Sequence, residues 1–402
     1  MDVIRILIHA LEILLFGYFG FASIYIFIFS FAGLFKRRSK EKLSHRQRKF
    51  AVLIPGYKED KVIVEVARKA LKQSYSKEFF EVIIIADSFQ KSTLDALEEF
   101  PVSVVEVSFE KSTKSKALNQ AMKVIGDEYD VALVLDADNI MEEDFIEKIN
   151  DAFDEGYTVV QGHRIAKNTN TPFAILDAIS EEINNHIFRK GHRVLGLSSA
   201  LIGSGMAFDY HFFKNTMANV NAVGGFDKEL ELKLLKDGTK IEYVDNALVL
   251  DEKVQKSEVF SNQRKRWLSA QFVYFRSYFA SGLQELFVRG NVDFFDKVYQ
   301  MVSPPRVLLL GLVVIITSLY FMTTLFFPIN FLLVPAVFWY AVLVVTVLAF
   351  SFAVPKKFYS VQTLKALLTL PKAFLLMFLS LFKLKGANKK FIHTEHGRIN
   401  SQ

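Results

Sequence analysis

Hydrophobic residues are distributed unevenly along the chain and divide it into three parts. No charged residue interrupts residues 13–35 or residues 307–355, whereas the region between them alternates short apolar runs with amphipathic segments. Because an apolar helix of about 20 residues crosses a bilayer, the first stretch predicts one membrane-spanning helix. The second predicts two, with a turn at residues 328–330. The middle predicts a domain exposed to water.

A basic segment follows the first apolar stretch and indicates its orientation. A signal peptide is the alternative to a retained anchor, but its apolar core is usually shorter, and no small-residue cleavage site follows here. By the positive-inside rule, the segment and the domain behind it lie in the cytosol. Its position beside an apolar span favours anionic lipid headgroups over nucleic acid as its partner. Its charges are Lys36, Arg37, Arg38, Lys40, Lys42, Arg46, Arg48 and Lys49, opposed by Glu41.

The first half of the middle region has the periodicity of an α/β domain. Strands are predicted at residues 50–54, 82–86, 102–107 and 131–135, and helices at residues 60–73 and 114–125. Strands that alternate with helices favour a mostly parallel sheet covered on both faces. The fold class is therefore Rossmann-like, of a kind that binds nucleotides, although fold alone does not determine function.

The second half of the middle region is less regular. Apolar residues 200–208 predict a strand interrupted at Gly203 and Gly205, and glycine inside a strand marks a bulge or the close approach of a ligand to the backbone. An acceptor molecule would need such a gap. Helices are predicted at residues 145–153, 172–189 and 227–236, and two short strands at residues 240–244 and 247–250.

Asp136 and Asp138 come directly after the strand predicted at residues 131–135. In open α/β sheets, ligands bind beyond the carboxyl ends of the strands. Mg²⁺ and Mn²⁺ are bound there by a few carboxylates together with phosphate oxygens and water, so the two acids predict a site for such an ion. The alternative is that Asp136 caps a turn and Asp138 caps a helix beginning near Glu142.

Four further polar residues lie at predicted strand ends or helix starts. Tyr57 and Glu59 follow the first strand, and Asp87 follows the second. A tyrosine can stack on a base, and a carboxylate can accept hydrogen bonds from a base or a ribose, although each residue alone is more typical of a turn. Lys114 opens a helix, where the free N–H groups and the helix dipole favour a diphosphate.

Two features near the end of the middle region suggest chemistry. Asp227 begins a predicted helix, so it is either a helix cap or a general base that faces an incoming hydroxyl. The second feature joins arginines suited to bidentate phosphate binding to a tryptophan whose face can stack on a sugar; a basic membrane-surface patch is its alternative. It is the run Gln263-Arg264-Lys265-Arg266-Trp267.

Composition narrows the chemistry further. The 402 residues include no cysteine, which excludes disulfides, thiolate zinc sites and a cysteine nucleophile. Hydrophobic residues make up 51% and phenylalanine occurs 40 times, in agreement with membrane segments, while the net charge of +6 is modest. His163 and His186 are candidate ligands or bases, but an isolated histidine is more often a hydrogen-bonded surface group.

Five separated motifs occur along the chain in the order Phe50-Ala-Val-Leu-Ile-Pro-Gly-Tyr-Lys-Glu59 with Asp87, Lys114 with Leu118-Asn119, Asp136-Ala-Asp138, Asp227, and Gln263-Arg264-Lys265-Arg266-Trp267. In this order they resemble the motifs of family 2 glycosyltransferases. The resemblance is closest to the membrane-embedded branch, which includes cellulose, hyaluronan and poly-N-acetylglucosamine synthases. It covers about residues 50–300, and the last motif is the most diagnostic.

The resemblance implies a GT-A-like domain and a role for each matching residue. Asp136 would contact the nucleotide side and Asp138 would bind Mg²⁺ or Mn²⁺, with Asp136 as a second carboxylate. Asp227 would be the catalytic base, and Trp267 would lie under the acceptor sugar. The nucleoside and diphosphate would be held by Tyr57, Glu59, Asp87 and Lys114. The diphosphate would also contact Gln263, Arg264 and Arg266.

The sequence departs from the family at the base. The family usually has Thr-Glu-Asp there, whereas this chain has Gly225-Phe226-Asp227. The missing glutamate leaves Asp227 or Glu229 as the base. We prefer Asp227 because it keeps the family's spacing to the helix end at Gly238.

The C-terminal part returns to the membrane. Residues 271–300 are aromatic and mixed in charge, which predicts amphipathic helices on the membrane surface. Lys356 and Lys357 mark a return to the cytosol. Residues 364–382 are interrupted by two lysines and a proline, which favours an interfacial or re-entrant helix over a fourth crossing. The predicted parts of the chain are 1–35, 36–49, 50–268, 269–302, 303–357 and 358–402.

These features predict a membrane-bound inverting glycosyltransferase of the hexosyltransferase class. It would move a sugar from a nucleotide-diphosphate donor, a UDP-sugar, to a growing polysaccharide, with export of the product as a further step. Transfer to a lipid acceptor, such as a polyprenyl phosphate or glycolipid, is the first alternative. A non-catalytic nucleotide-binding subunit of an export complex is the second. The expected partners are the donor, a glycan or lipid acceptor, and membrane lipids, but not nucleic acid.

Overall fold

The computed structural model describes residues 3–37, 45–220, 225–253, 257–326 and 332–382, without the side chains of residues 257–262. Three predictions therefore lie wholly or partly outside the described residues. They concern the basic segment at residues 38–44, the turn at residues 328–330, and the basic tail beyond residue 382.

The region between residues 50 and 251 contains one mixed sheet. Its strands in the described chain are β1 Phe50–Tyr57, β2 Phe80–Asp87, β3 Ser103–Val107, β4 Val131–Val134, β5 Ile140–Met141, β6 Val159–Ala166, β7 Met206–Asp209 and β8 Ile241–Asp251. Their spatial order is β3-β2-β1-β4-β7-β6-β8-β5. The four strands β1 to β4 pair in parallel, whereas β7 lies antiparallel to both β4 and β6. The sheet is thus parallel on one side of β7 and mixed beyond it.

Helices cover both faces of this sheet and also form an apolar group apart from it. The first group is α1 Val3–Ala32, α2 Ile63–Ala70, α3 Lys91–Leu97, α4 Lys114–Val124, α5 Phe145–Asp154, α6 Pro172–Asn184, the single turn α7 His192–Val194, α8 Tyr210–Met217 and α9 Phe226–Lys236. The second group is α10 Ser257–Arg289, α11 Val292–Val302, α12 Arg306–Phe326, α13 Ala336–Ala353, α14 Val361–Leu367 and α15 Leu370–Leu381.

The central strands are buried on both faces. In β1, Ala51 and Leu53 contact one apolar cluster, to which α4, α8, α9 and α11 contribute. Phe50, Val52 and Ile54 contact the other, to which α2 and α5 contribute. Because alternate residues of a strand face opposite sides, only a continuous apolar run fills both layers. Each fully buried side chain of this size contributes about 1.5–3 kcal/mol.

Two predicted strand boundaries are wrong. The first strand does not end at Pro55, because β1 continues in parallel register with β2 to Tyr57. Its pairing with β4 stops at Leu53, so β1 is an edge strand at Pro55, where a residue without an N–H donor is tolerated. The two short strands predicted at residues 240–250 are one strand, β8. A bulge in its pairing with β6 skips residues 245–247.

The strand predicted at residues 200–208 is also corrected. Only Met206–Asp209 pairs, because the backbone bends at Gly203 and Gly205, whose φ angles are +86° and +60°. Glycine adopts this left-handed conformation without steric cost. The sequence analysis also missed α8, which follows at once and is capped by Asp209, whose side chain accepts from the Phe212 N–H.

Three helices in the described chain, α1, α12 and α13, are long and apolar enough to cross a membrane. They share one apolar cluster that contains the fully buried Trp339. The helices α14 and α15 meet at a bend of 40°, and together they would pass the same test. This bent pair corresponds to the interfacial or re-entrant segment predicted at residues 364–382.

The first apolar helix, α1, contacts the sheet domain through a π-helix, Asn185–Gly191, which extends α6. A Cβ atom added to Gly191 would lie 2.0 Å from the carbonyl oxygen of Phe29, and one added to Gly33 would lie 2.6 Å from His186 Nε2. The ring of His192 stacks on Phe29 with a centroid distance of 3.6 Å. Only glycine allows the two backbones to approach this closely.

A polar network strengthens the same junction. The Tyr25 hydroxyl of α1 donates to Asp296 Oδ1 of α11 at 2.7 Å and lies 3.0 Å from His192 Nε2. Gln300 donates to Asp296 Oδ2 at 2.8 Å. Tyr25 of α1 is therefore hydrogen-bonded both to His192, which follows the π-helix, and to Asp296 of α11.

Candidate active site

A cavity of about 300 Å³ opens beyond the carboxyl ends of β1, β2 and β4. This is the location at which open α/β sheets bind ligands. Its walls come from the strand ends, the start of α4, one face of α6, the end of β8 and the first part of α10. Among the residues predicted from sequence, those that line it are Tyr57, Glu59, Asp87, Lys114, Asp136, Asp138, Gln263, Arg264 and Trp267.

The turns after β1 and β2 form the end of the cavity at which the sequence predicts the nucleoside. Lys58 and Ser88, which directly follow these strands, have φ angles of +55° and +62°. Residues other than glycine are uncommon in this conformation, and they concentrate at functional sites. The Lys58 N–H donates to the Asp87 carbonyl at 3.0 Å, and the Ser88 hydroxyl donates to Asp87 Oδ1 at 3.0 Å. The two turns are thereby fixed together, with the Asp87 side chain buried.

Lys114 neutralises one carboxylate of the acidic pair. It opens α4, where Thr113 caps the helix by accepting from the Lys116 N–H. The Lys114 ammonium donates to Asp136 Oδ1 at 2.5 Å and to the Gly203 carbonyl at 2.7 Å. The cation predicted to meet a diphosphate is therefore already at the strand end, between the acidic pair and the glycine bend.

Asn139 links the acidic pair to the rest of the site, and the sequence analysis missed it. Its side-chain amide donates to Asp138 Oδ1 and to Asp251 Oδ1, both at 3.0 Å. Ser204 donates to Asn139 Oδ1 and accepts from the Asp136 N–H. Asn139 and Ser204 are fully buried, so they hold the carboxylate of Asp138 and the backbone of Asp136 in one rigid arrangement.

The acidic pair suits a metal ion that arrives with its substrate. Among the residues that the structure describes, no group of three or more histidine, aspartate or glutamate side chains could hold a metal. Asp136 and Asp138 supply carboxylate oxygens directly beyond the end of β4. Mg²⁺ is commonly held by one or two carboxylates, with substrate phosphates and water completing its coordination. These residues therefore fit Mg²⁺ or Mn²⁺ bound together with a diphosphate.

Asp227 lies beside the glycine bend but is not among the lining residues of the cavity. Its Cβ and Cγ atoms are 3.8 Å from the position of a Cβ on Gly203, the residue whose carbonyl accepts from Lys114. Burial raises the pKa of the Asp227 carboxyl, and the neighbouring Lys228 opposes this rise. The alternative base, Glu229, is paired with Lys233 at 2.6 Å along the helix. Asp227 is therefore the better placed of the two acids.

The run in α10 divides between the cavity and its surroundings. Gln263, Arg264 and Trp267 line the cavity, whereas Arg266 does not. Arg264 donates to Asp177 Oδ1 of α6 at 2.7 Å, and its guanidinium lies over the Trp267 ring, 4.5 Å from the centroid. The cation thus fixes the ring against α6 from one side.

The sequence analysis did not predict a cluster of four charged residues that lines the cavity beside α6. Arg164 donates to Glu181 at 2.9 Å, and Lys253 donates to Asp251 at 2.7 Å. Although burial opposes the change, Arg164 and Lys253 hold the pKa of Glu181 well below its usual range. Arg164 and Glu181 are 17 positions apart, and the cluster forms only where β6, β8 and α6 meet, so no local pattern could have revealed it.

The two candidate histidines have structural partners. His163 Nε2 lies 3.0 Å from Glu182 and its Nδ1 lies 2.8 Å from the Asp245 carbonyl. His186 Nε2 lies 2.8 Å from the Ser30 carbonyl of α1. Neither histidine is among the residues that line the cavity. Both therefore agree with the interpretation of hydrogen-bonded groups rather than bases.

The fold and cavity agree with the comparisons to known proteins. Residues 46–270, more than half of the chain, match the model described as glycosyltransferase-like family 2. The chain therefore belongs to this family of glycosyltransferases. No curated protein matches the sequence significantly.

A solved structure with low sequence identity has the same fold. The chain is similar to the mannosyltransferase PcManGT from Pyrobaculum calidifontis, solved in complex with GDP-Man and Mn²⁺, with 13% identity and a TM-score of 0.51. This similarity covers 85% of the chain and 97% of PcManGT. A weaker similarity, with 18% identity and a TM-score of 0.39, links 53% of the chain to 61% of S. aureus TarS 1–349 in complex with UDP-GlcNAc.

Proposed function

We propose that the protein is a membrane-bound, inverting hexosyltransferase that moves a sugar from a UDP-sugar to a growing polysaccharide on the cytosolic side of the membrane. The observation that carries the proposal is the single cavity, which joins the predicted nucleotide residues to Gln263, Arg264 and Trp267. The residues predicted to bind the donor and those predicted to bind the acceptor line the same cavity. Arg306, the first residue of α12, donates to Ser180 and Asn184 of α6, which also line it.

The donor would enter at the strand ends. Tyr57 offers a ring to the base, and Glu59 and Asp87 offer carboxylates to the nucleoside. Lys114 would exchange its contact with Asp136 for the diphosphate, aided by the N-terminus of α4. A Mg²⁺ or Mn²⁺ ion held by Asp138, with Asp136, would supply charge neutralisation at the leaving diphosphate. The Mn²⁺ in the PcManGT complex supports this choice of ion.

The acceptor hydroxyl would lose its proton to Asp227. A general base is most effective when its pKa lies near the operating pH. Burial raises the pKa of Asp227 toward that range. Asp227 lies behind the glycine bend at Gly203 and does not line the cavity, so an acceptor hydroxyl would have to reach it past this bend. Gln263, Arg264 and Arg266 would hold the diphosphate, and Trp267 would stack on the acceptor sugar. A product that grows beside α12 and α13 could then be exported.

Two alternative functions can be distinguished by the products that the protein forms. Transfer to a polyprenyl phosphate or glycolipid would use the same donor residues but would end after one sugar. A nucleotide-binding subunit without catalysis would release no UDP. The proposed orientation, with residues 50–268 in the cytosol, rests on the basic run from Lys36 to Lys49 and on the positive-inside rule.

The test uses the purified full-length protein in detergent with labelled nucleotide sugars and Mn²⁺. We expect turnover with one donor of the panel and long products on a sizing gel. Asp138→Ala and Asp227→Asn should each lower turnover by at least about a hundredfold. Wild-type turnover that persists in both variants would contradict the assigned roles, and a product with a single added sugar would favour the lipid acceptor.

A further inference from the structure

Arg264, one of the residues proposed to hold the diphosphate, is already paired with a carboxylate. Its guanidinium donates to Asp177 Oδ1 of α6 at 2.7 Å, and both side chains are largely buried. Both residues line the cavity. A hydrogen bond between two ionised groups is about twice as strong as a neutral one. A phosphate that binds this guanidinium must therefore compete with Asp177.

The second cation proposed for the diphosphate, Lys114, is also paired, with Asp136. The two pairs differ in what can replace the cation. Asp136 belongs to the acidic pair that fits Mg²⁺ or Mn²⁺, so an ion that enters with the diphosphate would compensate its charge. Asp177 lies on α6 and is not part of the acidic pair. After its displacement, only cations of the protein itself are available to stabilise it.

The surroundings of Asp177 carry an excess of positive charge. Arg306 donates to Ser180, one helical turn from Asp177, and to Asn184, and both of these partners are neutral. The charged cluster comprises the cations Arg164, Arg189, Lys253, Arg264 and Arg306 and the carboxylates Asp177, Glu181 and Asp251. With five cations for three carboxylates, Asp177 keeps positive neighbours when Arg264 turns to a phosphate.

We propose that Asp177 holds Arg264 in the resting protein and competes with the diphosphate for it, so that it lowers the affinity for nucleoside diphosphates and favours release of the product. Asp177 is a positioning residue, because it acts through Arg264 and not on the substrate. The inference rests on the proposed binding of a nucleotide-diphosphate donor. An enzyme that adds sugars repeatedly must release a nucleoside diphosphate after each transfer, and a competing carboxylate favours this step.

The size of the effect follows from the fraction of molecules in which Arg264 is available. When the binding-competent state is about one tenth of the population, the apparent affinity is about tenfold weaker than the intrinsic affinity. We take this fraction for a largely buried ion pair. Asp177→Asn keeps the size of the side chain and a hydrogen-bond acceptor but removes the charge. It should therefore strengthen diphosphate binding about tenfold, whereas most substitutions in a binding site weaken it.

The first experiment measures binding without catalysis, by isothermal titration calorimetry of the full-length protein in detergent with Mn²⁺. UDP, GDP, CDP and ADP are titrated into the wild type, and the diphosphate that binds most tightly is used for the variants. Asp177→Asn should bind it about tenfold more tightly than the wild type does. Unchanged or weaker binding by Asp177→Asn would overturn the inference.

The variant Arg264→Met separates competition from a structural role of Asp177. Without the guanidinium there is nothing to compete for, so adding Asp177→Asn to this variant should change the affinity less than twofold. An equal gain in both backgrounds would assign the effect to the packing of α6 and refute the competition. Asp154→Asn is the matched control, because Asp154 lies 2.6 Å from Arg48 in another buried pair and does not line the cavity. It should bind the diphosphate as the wild type does.

A kinetic experiment separates this inference from the proposed function. With an active donor, the diphosphate should inhibit Asp177→Asn at about one tenth of the concentration that inhibits the wild type, and equal inhibition of both would contradict the competition. Absence of turnover with every labelled donor, together with tighter diphosphate binding by Asp177→Asn, would refute the transfer reaction and leave the competition supported. A wild type that binds none of the four diphosphates would overturn both.

Discussion

Replacement of Lys297 by methionine tests whether a buried ion pair joins α9, which carries Asp227, to α11. Lys297 of α11 lies 2.8 Å from Glu231 of α9, and both side chains are almost completely inaccessible. Glu231 also accepts from the Leu201 N–H at 3.0 Å and lies 3.3 Å from the half-buried Lys228. Asp227 is one helical turn away on α9.

The expected cost follows from the burial of the carboxylate. Loss of one partner from a buried pair costs about 3–5 kcal/mol because a charge is left without compensation. Lys228 and the Leu201 N–H remain, so we expect the lower limit of about 3 kcal/mol. For a domain of this size, about 2–4 °C of Tm corresponds to 1 kcal/mol. Lys297→Met should therefore lower Tm by about 6–12 °C.

The pH dependence gives the sign of the effect. Burial would raise the pKa of Glu231, but Lys228 and Lys297 lower it below its ordinary value of 4.5. The ionised carboxylate therefore stabilises the wild type above about pH 4.5, and this contribution is lost as the pH falls through the lowered pKa. In Lys297→Met the carboxylate should protonate more readily. The difference in Tm should be largest near pH 7 and should shrink toward pH 4.

The assay is thermal unfolding of both proteins in the same detergent, followed by intrinsic fluorescence. The double variant Glu231→Gln with Lys297→Met removes both charges and keeps an acceptor for the Leu201 N–H, so it should recover most of the lost stability. A Tm for Lys297→Met within 2 °C of the wild type would refute the reasoning. A double variant no more stable than the single one would do the same.

Three further outcomes are expected. Asn139→Ala should weaken Mn²⁺ binding in the presence of UDP about 10- to 100-fold, because the Asn139 side chain orients Asp138. Electron paramagnetic resonance of free Mn²⁺ measures the affinity, and an unchanged affinity would exclude this role of Asn139. Asp227→Asn should bind UDP normally by calorimetry but lose transfer, and since burial raises the pKa of Asp227 above 3.8, the wild-type rate should fall with acidity at a pH above that value. Gly191→Ala should lower Tm, because its Cβ would meet the Phe29 carbonyl at 2.0 Å; an unchanged Tm would contradict the close crossing.

The sequence predicted features that depend on local patterns. β1 and β4 were predictable because their apolar runs are continuous. Asp136 and Lys114 were predictable because one follows an apolar run and the other begins an amphipathic segment. The three apolar helices followed from length and charge alone. Most predicted site residues consequently line one cavity.

The remaining features depend on contacts between distant residues. The antiparallel position of β7 between β4 and β6 follows from pairing between residues 45 to 78 positions apart in the sequence, and no local signal specifies it. Arg164 and Asp251 read as ordinary strand residues until β6 and β8 pair. The exclusion of Arg266 from the cavity reflects the rotation of α10, which its weak amphipathic pattern did not define.

The glycine crossing of α1 with the π-helix has a consequence for the division of this protein into parts. Phe29 lies flat against His192, and the backbones touch at Gly33 and Gly191. A generic hydrophobic tether could not replace this helix, since most residues carry side chains that would force the two segments apart. Helix α1 is therefore a structural part of the folded protein. A truncated protein that begins at β1 would expose His192 and the apolar surface that α1 covers.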